Sequence, residues 1–293
     1  MNGIHGLNSI AFSFSRLWRV ASAKFRRQHD NERASSGRVK AYWAECLGDC
    51  SAKISAEHLV TAGTFTETAI RVKGLPWCLN EFKTIGLESF VRNVLCKDHN
   101  SRLSPVDAAA IKLRDALCEI AALSETRKKM EPQAWPIQNF LVDGFGIERW
   151  CLKTLMALAF GGRVPIGGGD SLPGVPPPSL VEIAFGLRNF QPARAGLHWM
   201  GSPGEEVNVT EGVVISTFSN HDDRLAGARF WFWGLNVLLV LTNDGPAGPF
   251  SFTSIDGERT VYPSTTYRPQ RLNIGVHDIP SHTLQFDWST KES

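Results

Sequence analysis

The chain has 293 residues, 43% of them hydrophobic, with nine Trp and a formal net charge of +2. This composition supports one large core or two modest ones and excludes a disordered or strongly polyionic chain. A net charge so close to zero also argues against nucleic-acid binding through bulk charge, so any phosphate contact has to come from a local patch.

Residues 1–40 are basic and polar. Arg16, Arg19, Lys24, Arg26 and Arg27 precede the first acid, Asp30. With Phe12, Leu17, Val20 and Phe25 as apolar positions, the stretch reads as a basic amphipathic helix followed by a loose connection. The same composition is that of a mitochondrial transit peptide, and that alternative stays open. Residues 41–160 hold a Cys/His constellation and two amphipathic helices. For the first helix, Ser104 is the candidate N-cap, Pro105 fits the first helical position, and Asp107 stands three residues after Ser104 as in a capping box. Val106, Ala110, Leu113, Leu117, Ile120 and Ala121 share one face. The second helix is expected from about Ile147 to Phe160.

Residues 161–179 (GGRVPIGGGDSLPGVPPPS) are too rich in Gly and Pro for a regular ladder and read as a linker or long loop. Residues 180–293 alternate β-prone runs with turn residues. Strands are expected at 207–209, 213–218, 228–241, 260–262, 272–276 and 283–288, forming an antiparallel sheet or small sandwich, with turns at Asn243-Asp244-Gly245 and Asp256-Gly257. The apolar run Phe230 to Leu241 is too short to span a bilayer as a helix, so no membrane association is expected. The expected fold class is therefore α+β: an N-terminal helical region with a metal-bound unit, then a β-rich C-terminal region.

The chemistry concentrates in the first half. Six Cys (46, 50, 78, 96, 118 and 151) are too few for a disulfide scaffold in a chain this long, and no secretory signal is apparent. A reducing, cytoplasmic setting is expected, where Cys clustered with His suits metal ligation. Zinc takes four soft or borderline ligands in a tetrahedron. Cys46-x3-Cys50 supplies one pair on a turn that Gly48 permits, and Cys96-x2-His99 supplies a second pair at a helical step of three. Cys78, Cys118 and Cys151 sit among apolar neighbours and read as core residues.

The order Cys46-x3-Cys50, Glu57-His58, Cys96-x2-His99-Asn100 resembles the HNH endonucleases that carry a zinc-braced treble clef and a ββα-metal site. The resemblance covers residues 46–107 and does not extend over 136–293. It implies structural zinc, a catalytic Mg²⁺ or Mn²⁺, and hydrolysis of DNA. Carried over by position, His58 is the general base, Glu57 a ligand of the catalytic cation, and Asn100 a second ligand or orienting residue. Those roles suit the chemistry: a near-neutral imidazole can activate water, and hard oxygen donors hold a hard cation. Asp107 offers a further oxygen donor, but its place in the capping box is the preferred explanation. Lys97 and Arg102 flank the expected helix start and are compatible with phosphate contact. Bacterial proteins of this build also imply a link with defence against phage or mobile DNA. The sequence departs from the family pattern in the x3 spacing and in the long stretch between His58 and Cys96, which requires an insertion looped out around Gly74 to Glu81.

Two other classes compete. One is a non-catalytic zinc-binding adaptor whose β-rich region engages a protein partner. The other is a different hydrolase centred on His198, His221 and Asp222-Asp223, which otherwise reads as a polar turn.

Overall fold

The computed structural model describes residues 9–13, 42–74, 78, 81–131, 133–168, 172–191, 195–201, 206–220, 222, 224–242, 250–253, 259–262, 265–275 and 282–289. Its elements in chain order are β1 (Ser9–Ser13), β2 (Ile54–His58), β3 (Ala69–Lys73), β4 (Lys83–Gly86), β5 (Val91–Cys96), α1 (Lys97–Arg102), α2 (Ser104–Lys128), β6 (Asn139–Asp143) and α3 (Gly144–Gly162). There follow α4 (Pro178–Ala184), β7 (Gly196–Trp199), β8 (Glu206–Asn208), β9 (Val213–Ser219), β10 (Leu225–Phe232), β11 (Leu235–Val240), β12 (Phe250–Thr253), β13 (Arg259–Tyr262), β14 (Thr266–Tyr267), β15 (Arg271–Gly275) and β16 (His282–Asp287). The fold is α+β, with few helices and several sheets.

Helix α3 organises the interior. Its residues are apolar on nearly every side, and all positions from Gly144 to Ala159 except Arg149 are buried. A helix hydrophobic all round belongs in a core rather than on a surface, so the amphipathic helix expected here is corrected to a central one. Asp143 caps it, its carboxylate accepting from the Gly146 N–H at 2.8 Å. Trp150 packs its indole against Phe230 and Phe232 of β10 at ring separations of 5.9 and 5.2 Å. Helix α2 lies alongside α3 and buries Val106, Ala110, Leu113, Leu117 and Ile120, the face its periodicity predicts.

The largest sheet has eight strands in the order β14-β7-β11-β10-β9-β1-β3-β4. Strand β1 runs parallel to both β3 and β9, and the remaining pairs of this sheet are antiparallel. A second sheet, β6-β16-β15-β8, contains two further parallel pairs. The wholly antiparallel arrangement expected for the β-rich region is thereby corrected: parallel neighbours arrive from distant parts of the chain, which local patterning does not record. Residues 228–241 also prove to be two strands rather than one. Trp233 (φ 52°) and Gly234 (φ 89°) form a two-residue turn between β10 and β11. A Cβ at Gly234 would collide with the carbonyl oxygen of Asn208.

Strands from both sides of residues 161–179 share these sheets, and one cluster of buried side chains runs from Trp43 to Phe286. Within that Gly/Pro stretch Val164 and Ile166 are buried, and Ile166 bridges to Leu225. Strands β3 and β4 bracket the insertion expected around Gly74 to Glu81, of which residues 75–77 and 79–80 lie outside the described residues, and they form one edge of the large sheet. The N-terminal helix is not supported: Ser9–Ser13, including Phe12, is strand β1, and residues 1–8 and 14–41 lie outside the described residues. The turns at 243–245 and 256–257 lie outside them as well. Among the described residues no helix is long and apolar enough to cross a membrane.

Candidate metal centre

Strands β2 and β5 pair as an antiparallel hairpin, Ile54 opposite Cys96 and His58 opposite Val91, with an irregularity between Ser55 and Glu57. The hairpin runs directly into α1, so the residues ending β5 and opening α1 are held against the start of β2. The Lys97 N–H donates to the Lys53 carbonyl at 2.8 Å and fixes that junction. Trp43 and Ala44, both buried, anchor the loop that carries Cys46 and Cys50.

Cys50 Sγ, Cys96 Sγ and one nitrogen of His99 converge, with all three donor atoms within 4.8 Å of one another. His99 Nδ1 lies 3.6 Å from Cys50 Sγ and 3.3 Å from Cys96 Sγ. Tetrahedral zinc with ordinary Zn–S and Zn–N bonds separates such donors by about 3.5 Å, so the set has the right span. The other ring nitrogen, Nε2, stands 2.9 Å from Asp49 Oδ1. A carboxylate accepts only, so the proton belongs on Nε2 and the Nδ1 lone pair faces the two sulfurs, the arrangement a ligating imidazole needs. Asp49 is held in turn by Arg102, 3.1 Å from its second oxygen, and the Arg102 guanidinium lies over the Phe185 ring at 5.0 Å. Arg102 is therefore engaged within the protein rather than free for phosphate.

The two thiols differ. Cys96 is the N-cap of α1 and accepts from the His99 N–H. Burial pushes its pKa up, but backbone donors from His99, Ser51 and Asp98 outweigh burial and hold it below the ordinary thiol value. Cys50 is pushed up to about 11, chiefly by burial, then by the adjacent Cys96 and the carboxylates of Glu45 and Asp49. A divalent cation would offset that accumulated negative charge. Cys46 is not brought into the group. It sits exposed on the 3-10 turn Glu45–Leu47, and its sulfur is not within 4.8 Å of all three donors. The reason is backbone direction: Gly48 (φ 72°) and Asp49 (φ 44°) turn the chain sharply between Cys46 and Cys50.

A second cluster adjoins the first along α1. The residue after His99, Asn100, donates from Nδ2 to Ser55 Oγ at 2.7 Å and hydrogen-bonds Glu57. Glu57 is buried and ion-paired with Lys153 of α3. The Lys153 ammonium also lies 2.7 Å from each carboxylate oxygen of Asp107. Thr61 Oγ1 donates to Asp107 Oδ1 at 2.5 Å, and the Trp150 indole N–H donates to that hydroxyl at 2.9 Å. The capping role expected of Asp107 is thus corrected. Leu103, not Ser104, is the N-cap of α2, no side chain caps it, and Asp107 faces Lys153 and Thr61 instead.

Burial raises the Glu57 pKa, and the Lys153 ammonium beside it offsets that only in part. His58 is half-buried. Burial, then the Lys153 charge, lowers its pKa, with Asp107 opposing. Its imidazole is therefore neutral near pH 7. The structure gathers Glu57 and Asn100 with Asp107 and Lys153, the last of which the sequence reading does not single out, and it leaves His58 within reach of the Lys153 and Asp107 charges. The signal of Lys153 in the sequence is a charge within the otherwise uncharged run from Trp150 to Phe160.

Elsewhere, His198 on β7 packs its ring 5.2 Å from that of Tyr267. Asp222 is an exposed turn residue whose N–H donates to Asn220, while His221 and Asp223 lie outside the described residues. No family model matches this chain, and neither do curated proteins or solved structures.

Proposed function

We propose that residues 46–107 carry an HNH-like endonuclease site that hydrolyses phosphodiester bonds of DNA, braced by zinc and dependent on Mg²⁺ or Mn²⁺. One observation carries this reading: Glu57, Asn100 and Asp107 are gathered around Lys153, with Asn100 directly after His99 of the Cys50–Cys96–His99 donor set, and the charges of Lys153 and Asp107 reach the half-buried His58 imidazole. Cys50, Cys96 and His99 would hold the zinc, with the fourth corner left to a donor other than Cys46 as it stands, which is exposed and outside the group.

In the proposed reaction His58 accepts a proton from water, the hydroxide oxygen bonds to phosphorus, and the bond from phosphorus to the leaving sugar oxygen breaks. A divalent cation, when bound, supplies relief of charge on that oxygen. Glu57 and Asp107 are the anionic groups suited to such a cation, and Asn100 orients Glu57 from α1. Asp49, by fixing the His99 tautomer, supports the start of α1, from which Asn100 reaches Glu57.

The test is incubation of the zinc-loaded protein with plasmid DNA in Mg²⁺ or Mn²⁺. Cleavage is expected, and His58→Ala should reduce it by about 10²–10⁴-fold, the usual contribution of a general base. Cleavage that survives His58→Ala removes this assignment. A second reading, a non-catalytic zinc-braced adaptor, is favoured by the Lys153 ammonium already paired with Glu57 and Asp107. Absence of cleavage from a protein holding about one zinc per chain would select it.

A further inference from the structure

Lys153 is the least expected residue of the site. Its side chain is 3% exposed, while the Glu57 side chain is 6% and that of Asp107 23% exposed. An ammonium has three N–H donors. Here three carboxylate oxygens, Glu57 Oε1 and both of Asp107, lie around it. The lysine arrives from α3, the carboxylates from β2 and α2, so three separate elements meet at one nitrogen.

We propose that Lys153 is a tethered cation that competes with the catalytic divalent cation for Glu57 and Asp107, and that it turns to the scissile phosphodiester when that cation enters. The proposal rests on the nuclease reading above. Charge counting supports it. Two ionised carboxylates and one ammonium sum to −1. A divalent cation alone brings the cluster to +1, an unfavourable sum in a buried place. A phosphodiester, at −1, returns it to zero. Cation and nucleic acid therefore favour each other's binding, and the cation without nucleic acid is resisted. Geometry agrees with this sequence of events. Oxygen ligands stand about 2.0–2.1 Å from Mg²⁺, closer than they stand from an ammonium nitrogen, so both cannot hold the same oxygens. The lysine stem has four rotatable carbons and can withdraw its charge without moving α3. Asp107, the most exposed of the three, marks the side from which solvent and a cation approach.

The experiment measures Mn²⁺ affinity by electron paramagnetic resonance on the full-length, zinc-loaded chain, comparing wild type with Lys153→Met. Without nucleic acid, Lys153→Met should bind Mn²⁺ about tenfold more tightly, within the usual range of site coupling. Adding a DNA oligonucleotide, in a His58→Ala background that keeps it intact, should tighten Mn²⁺ binding several-fold when Lys153 is present and much less with Lys153→Met. Equal or weaker Mn²⁺ binding by Lys153→Met overturns the proposal and leaves Lys153 a structural ion-pair partner. Removing the ammonium can compromise folding by leaving two buried carboxylates facing each other. The same comparison is therefore made between Asp107→Asn and Asp107→Asn/Lys153→Met, where a single carboxylate remains; the double variant should bind Mn²⁺ more tightly. DNA cleavage by the wild type with no affinity change in either comparison sinks the competition alone. Failure of every form to bind Mn²⁺ sinks the nuclease reading with it.

Discussion

Helix α3 carries two buried ions five residues apart, Glu148 and Lys153, and their surroundings differ in kind. Glu148 is closed. Arg268 Nη2 donates to its Oε1 at 2.8 Å, Arg268 Nε to Oε2 at 3.2 Å, and the Leu197 N–H to Oε2 at 2.8 Å. The guanidinium is covered by the rings of Phe145, Tyr267 and Trp288 at 4.7, 5.1 and 5.4 Å. Charges cancel one to one, and the acceptor atoms are occupied. Lys153 instead faces two carboxylates, leaving a surplus negative charge, and its own charge reaches the half-buried His58 imidazole. A balanced, fully hydrogen-bonded pair is an architectural clamp between α3 and the strands beyond it. An unbalanced cluster near a titratable base is where the proposed site is placed.

The largest effect expected separates the supports of the two clusters. If zinc is the brace proposed above, chelating it, or Cys96→Ser, should cost several kcal/mol locally, because structural zinc contributes folding energy directly. Amide exchange would read it: the Lys97 N–H, bonded across the β2–β5 junction, should lose protection. The Leu197 N–H, bonded to Glu148, should keep it. Equal loss at both would mean that the two clusters do not differ in support.

Glu148→Ala comes next. It leaves Arg268 buried without its partner and the Leu197 N–H unsatisfied, at about 3–5 kcal/mol in chemical denaturation. Cleavage per folded molecule should be unchanged, which would mark Glu148 as architecture alone.

The pH dependence of cleavage sharpens the other side. His58 has its pKa lowered by burial and by Lys153, and a base works deprotonated. The rate should therefore be level from neutral pH upward and fall only as pH drops through a value below the ordinary histidine 6.5. The same shift makes the native state bind fewer protons than the unfolded state in that window, so stability also declines as pH falls below about 6.5. A rate still climbing steeply above pH 7 would contradict the lowered His58. The smallest effect is Asp143→Ala, which removes the α3 cap and should cost about 1 kcal/mol. Because one helix holds both clusters, that loss should appear in denaturation without changing the pH profile.

Part of this was legible in advance. Cys96-x2-His99 and the adjacent Glu57-His58 are legible because their spacing is local, one helical step and one strand end, whereas Cys50 joins Cys96 and His99 only through the pairing of β2 with β5. Helix α2 and most of the later strands were read from periodicity. Cys46 follows the same spacing logic yet stays outside the group, since two consecutive residues with positive φ redirect its turn. The Trp233–Gly234 turn was hidden in an unbroken apolar run, because the flanking strands are both buried and show no alternation.

By itself the sequence determined the Cys96–His99 step, the adjacent acid-histidine pair and the α+β character, each a matter of residue chemistry at short separation, and it named Cys50 but also Cys46, which the group leaves out. Tertiary structure alone decided that β1 enters the large sheet between β3 and β9, and that residues 41–160 and 180–293 share sheets and a core. It also decided that Lys153 and Asp107 meet at Glu57. The physical reason is common to all three. Parallel pairing and buried ion clusters join residues tens to hundreds of positions apart, and what selects them is the cost of leaving apolar faces or charges without partners in the assembled interior.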